Sequence, residues 1–212
     1  NREGILHVQV TARLIQRARR AQRKEDSAPF CHVTGPGSRW HMLALTDRQI
    51  AEYFRRSFTV ADGLWFMKVE ESLGFDKALD LDDEVWKILP KIQARMLKTM
   101  GNLGNGLDAL RECVTTRLTL DGFAFEIEED PAGNSLQVRV TDCPWHNLMV
   151  KSGREHLSGK VGARICATEY QVLAAEFGPG ISFELGDQIC DRAGKCQFTF
   201  RVASTAKRKG PA

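Results

Sequence analysis

At Gly122 the spacing of apolar residues changes from helical to extended, which limits the chain to folds with helices first and antiparallel strands after. Before that point Ile50, Tyr53, Phe54, Phe58, Ala61, Leu64, Trp65 and Val69 recur mostly at three- and four-residue steps, the pattern of an amphipathic helix. After it Phe123, Phe125 and Ile127 alternate with Ala124, Glu126 and Glu128, the period of a strand with one buried face. Thr46 and Gln49 stand at capping-box spacing, so the first helix is predicted to begin there and to end at Gly74. A second helical pattern covers about Asp76 to Met100, with Pro90 inside it. Proline removes a backbone donor and clashes with the preceding turn, so a kink or two abutting helices are expected. A third helix is predicted over Leu107 to Leu118, carrying Cys113.

Beyond Gly122 the turn residues Asp130, Pro131, Ala132, Gly133 and Asn134 separate the first strand from a return strand with Leu136, Val138 and Val140. Asp142, Cys143 and Pro144 close that hairpin and start a short helix. Another helix is predicted from Val161 to Phe177, ended by Gly178, Pro179 and Gly180. Ile181, Phe183 and Leu185, then Cys196, Phe198, Phe200 and Val202, give a second hairpin around Asp191 to Gly194. The fold class is therefore α+β: an N-terminal helical layer packed on an antiparallel sheet built from two hairpins.

Charge divides the 212 residues differently. Residues 1–24 hold seven Lys and Arg against the single acid Glu3, and the tail adds Lys207, Arg208 and Lys209. That leaves residues 25–206 with 20 bases and 26 acids, a net of −6. An acidic body argues against nucleic-acid binding except through the basic extension. Residues 1–45 read as that extension plus a Pro- and Gly-containing linker, poorly ordered; 46–203 as one domain; 204–212 as a basic tail. No apolar run reaches the ~20 residues of a spanning helix, and no signal-peptide core is visible. The expectation is a soluble cytoplasmic protein without a membrane partner, whose cysteines stay reduced. The apolar stripe of the first helix would serve a homodimer as readily as a monomer's core.

Four of the six cysteines, Cys143, Cys166, Cys190 and Cys196, fall in the last third of the chain. No CxxC pair is present, so the strong spacing signature of a zinc or cluster site is missing. Cys143 precedes a helix N-terminus, whose partial positive charge lowers a thiol's pKa. His146 sits one turn on and would take its proton. The competing reading is a small buried side chain beside Trp145. Cys166 and Glu169 share a helix face, and Cys196 is in phase with Phe198 and Phe200. Arg154 offers a two-pronged cation for a substrate carboxylate, with a surface ion pair as the alternative. Cys31 and Cys113 have no patterned neighbours. Asp62 stands in an apolar stretch, where a carboxylate requires either a partner such as Arg95 or a pocket. No Walker loop, GxGxxG, HExxH or GxSxG occurs.

The block Ala61-Asp62-Gly63-Leu64-Trp65-Phe66, with Val69-Glu70-Glu71, Gly74-Phe75, Val85-Trp86 and Ala94-Arg95, resembles a family of small prokaryotic cytosolic proteins of unassigned function. That family looks related to L-2-amino-thiazoline-4-carboxylic acid hydrolase. Cys143-Pro144, the Cys166 segment and Gly186-Asp187 followed by Cys196 carry the likeness into the C-terminal part, so that it spans roughly 47–202. The resemblance implies a thiol-bearing pocket that opens the ring of a small cyclic amidine. The family's closing-strand motif reads Cys-Asp-Phe, whereas here Cys196 is followed by Gln197 and Phe198, leaving the carboxylate role to Glu169 or Asp187. Three functions follow as expectations. The first is a thiol-dependent hydrolase of C–N bonds using Cys143, His146, Glu169 and Arg154. The second is a non-catalytic protein holding zinc or an iron–sulfur cluster on Cys143, Cys166 and Cys196. The third is a small-molecule sensor whose pocket lies between the helical layer and the sheet.

Overall fold

The computed structural model describes residues 43–130 and 133–202. The basic extension and tail, and Cys31 with them, lie outside the described residues apart from the last three positions of the linker. Helix α1 spans Asp47–Leu73 and opens with the expected capping box between Thr46 and Gln49. Gly74, at φ 84°, ends it. The second helical pattern resolves into α2 (Phe75–Trp86) and α3 (Leu89–Gly101). Pro90 occupies the first turn of α3, where its missing donor costs nothing. Helix α4 runs over Leu107–Asp121, to a left-handed Gly122.

The strands are β1 (Ala124–Glu129), β2 (Ser135–Asp142), β3 (Ile181–Leu185) and β4 (Cys196–Val202), in the order β1-β2-β4-β3, every pair antiparallel. The two hairpins meet through β2 and β4, where Val140 pairs with Cys196, Val138 with Phe198 and Leu136 with Phe200. Those side chains form the buried face, and α4 and α6 (Glu155–Ala175) cover it. Tyr170 of α6 lies 4.3 Å from the Phe198 ring, centroid to centroid. Glu126, Glu128 and Glu184 point the other way, and Arg139 pairs across the strands with Glu128 at 2.6 Å. The α+β class and the helices-on-sheet layering are as expected.

Two stretches differ from expectation in extent. Helix α5 (Pro144–Lys151) follows Cys143 directly, but α6 begins at Glu155, so it starts six residues before Val161. Gly159 and Gly162 mask its first turns in the sequence, and both face Cys190. The connection from β3 to β4 is also longer than a turn. It carries a 3-10 turn at Ile189–Asp191 and lies against α6.

Helix α1 contributes no buried residue. Tyr53, Phe54 and Trp65 are exposed, and its inner side touches the body through Phe58 on Trp145 and Phe66 on Phe75. Among the described residues no helix is long and apolar enough to cross a membrane.

Candidate ligand chamber and its polar floor

Between the helices and the open end of the sheet lies a cavity of about 280 Å³. Helix α1 supplies Asp62, Gly63 and Phe66; α2 supplies Asp82 and Trp86; α5 supplies Trp145 and His146. Helix α6 presents Ser158, Gly162, Ile165, Cys166 and Glu169, residues three and four apart and hence on one face. The sheet closes the chamber with Val140, Cys196 and Phe198, and the β3–β4 connection adds Gln188 and Cys190.

Cys143, Cys166, Cys190 and Cys196, far apart in the chain, therefore converge on this one space. Their chemistry is not what the helix-terminus argument predicts. Burial pushes the Cys143 thiol up to about 12, while the amides of His146 and Trp145 pull the other way and lose. Burial likewise raises Cys190 to about 11, and lifts Cys196 and Cys166. All four are protonated at neutral pH, so Cys143 is no ready nucleophile. His146 lines the chamber, yet its Nδ1 is buried with no hydrogen-bond partner rather than bonded to the thiol. Among the described residues no three His, Cys, Asp or Glu side chains are grouped to hold a metal ion. The zinc or cluster role expected of Cys143, Cys166 and Cys196 thus lacks its geometry.

The remaining expected residues are engaged in ion pairs. Arg154 donates through Nη2 to Glu70 of α1, so its charge is already paired within the protein. Glu169 accepts from Arg117 of α4, both deeply buried. Burial raises the Glu169 carboxyl while Arg117 opposes that shift. Arg117 keeps Nε and Nη1 without hydrogen bonds, with Asp121 3.7 Å from Nε. Arg95 does not reach Asp62; it pairs with Glu176 at 2.7 Å. Asp62 instead faces the pocket, and burial lifts its carboxyl to about 6.

Arg117 and Gln188 belong to no sequence motif, Asp82 is one of several acids on the first helices with nothing local to set it apart, and Trp86 enters the sequence pattern only through the Val85-Trp86 block. Asp82 is almost fully buried, accepts one bond from Trp86 Nε1 at 3.0 Å, and is pushed up to about 7 by burial and then by Asp62. The next residue, Asp83, holds Lys87 and Arg164, each at 3.2 Å. In the sequence the two acids look alike. Arg117 left a signal: it is a charge in phase with Leu110 and Val114, on the face of α4 that packs inward. Gly162 left another, since a mid-helix glycine costs about 1 kcal/mol relative to alanine and calls for a reason. The reason is the loop: a Cβ there would lie 2.5 Å from Cys190 Sγ.

Fold and site together define an α+β domain with a largely apolar chamber whose lining includes three acids, Asp62, Asp82 and Glu169. The chain belongs to DUF6125, a family of unknown function, whose model matches residues 45–185. No curated protein matches it. A solved structure, the phenol-responsive sensory domain of the transcription activator PoxR with phenol, is similar at 12% identity and a TM-score of 0.44, covering 68% of this chain and 73% of that one. That likeness is distant, and the chamber alone carries the functional reading.

Proposed function

We propose that this domain binds a small, ring-sized organic molecule in the chamber and works as a ligand-sensing module. The observation that carries the reading is the 280 Å³ space itself, walled by Phe66, Trp86, Trp145 and Phe198 and holding a few polar groups. Apolar cavities of about 150 Å³ hold benzene, so this one takes a substituted ring. Such a mix of apolar walls and sparse polar groups is what small-molecule sites require for affinity and orientation. The chamber lies between α1–α2 and the sheet, so occupancy would alter how the outer helices are held. Hydrolysis of a C–N bond has less support, because the thiols are protonated and Arg154 is already paired.

The test is a thermal-shift and calorimetric screen of monocyclic compounds against the full chain and a Val161→Trp variant. Val161 lines the chamber, so the larger ring would fill it. Saturable binding by the parent and its loss in a folded Val161→Trp variant supports the proposal. Equal binding by both, or no compound bound at millimolar concentration, sinks it.

A further inference from the structure

We infer that the chamber selects an organic cation, a ring bearing a protonated amine, seated between Asp62 and Asp82. This rests on the ligand-binding reading above and specifies the chemistry of the ligand. Three acids line the chamber, and only one is neutralised from within the protein: Glu169 is held by Arg117. Arg154, the lining guanidinium, is taken by Glu70. Asp62 has no ion-pair or hydrogen-bond partner among the described residues, and Asp82 has the single bond from Trp86 Nε1. Asp82 is nonetheless only 5% exposed, so water does little to solvate it. Carboxyls so placed are costly when ionised unless a cation joins them.

The walls point the same way independently. The rings of Trp86 and Trp145 meet edge to face at 6.2 Å, Trp86 being the donor to Asp82, and both line the chamber. Indole faces attract an ammonium group that has been stripped of water; Arg117 already lies over the Trp86 ring, 6.0 Å from its centroid, so this contribution falls to Trp145. A metal ion fits less well, since no third ligand among the described residues completes a set and most of the volume would stay empty. An ammonium group bonded to a ring satisfies both carboxyls and fills the apolar part.

The experiment compares three near-isosteric probes by calorimetry at pH 7.5: phenethylamine, 2-phenylethanol and phenylacetate. A charge-assisted pair replacing a neutral one predicts that the amine binds about tenfold or more tighter than the alcohol, with the anion weakest. Asp62→Asn and Asp82→Asn should each remove most of that preference. The wild-type comparison stands even where a variant fails to fold. If the alcohol or the anion binds as tightly as the amine, the cation inference is overturned while the ligand-binding reading survives. If none of the three binds and the wider monocyclic screen also fails, both are overturned. Amine preference that persists undiminished in both variants likewise overturns the assignment to these two carboxyls.

Discussion

Replacing Asp82 by asparagine should stabilise the protein, and by an amount that depends on pH. Burial lifts this carboxyl from 3.8 to about 7. In the unfolded chain it ionises near its ordinary value, so between those pH values unfolding releases a proton that the folded state keeps. The native state is thus favoured fully below about pH 4, and that advantage disappears as the pH climbs through 7. Each pKa unit is worth about 1.4 kcal/mol, so the whole shift costs the folded protein about 4 kcal/mol at pH 8. Asparagine carries no charge and retains an acceptor for Trp86 Nε1, whose bond is 3.0 Å long. The variant should match the parent near pH 4, gain steadily, and level off above pH 7. At pH 8 the gain corresponds to a melting-temperature rise on the order of 10 °C. Urea titrations followed by tryptophan fluorescence at pH 4, 5.5, 7 and 8 measure it directly. Asp62 shifts in the same direction, to about 6, and helps raise Asp82. The double Asn variant should therefore gain less than the sum of the singles. A gap that ignores pH, or an Asn variant less stable at pH 8, would refute the reasoning.

Three further outcomes are expected. Gly162→Ala should destabilise by about 1–3 kcal/mol through overpacking against Cys190. Adding Cys190→Ala should remove most of that cost, since only the 3.2 Å approach to Gln188 Nε2 then remains, and denaturant midpoints report both. Arg117→Ala strands Glu169 and should cost about 3–5 kcal/mol, while Arg117→Met combined with Glu169→Leu should recover most of it. Iodoacetamide at pH 7.5, read by peptide mass mapping, should leave Cys143 and Cys166 unmodified until urea unfolds the chain; rapid labelling of folded Cys143 would contradict the raised thiol.

Much of the architecture is legible in the sequence for a physical reason. Capping at Thr46, the stop at Gly74 and the alternation from Phe123 to Ile127 are local, and a few neighbouring residues decide them. Convergence of Cys143, Cys166, Cys190 and Cys196 is legible in part, since strand phase points Cys196 inward and helix face places Cys166 beside Glu169. The charge chemistry of the site is not. Whether Cys143 feels the helix terminus or its burial more depends on what the fold packs around it, and burial wins. Asp82 and Asp83 are sequence neighbours with opposite fates, because one turns to Trp86 and the chamber and the other to Arg164. Arg154 reads as available until α1 brings Glu70 to it across 84 positions of chain. Such outcomes are settled by long-range contacts that periodicity does not encode.

The chamber draws its lining from α1, α2, α5, α6 and the sheet, so it disappears when the chain unravels. Whatever occupies it can only do so in the native ensemble, and mass action then converts occupancy into heat resistance. A compound present at a hundred times its dissociation constant adds about 2.7 kcal/mol. Melting curves collected over a chemical library would thus single out the compounds that the chamber holds by the warmth at which the protein still stays together.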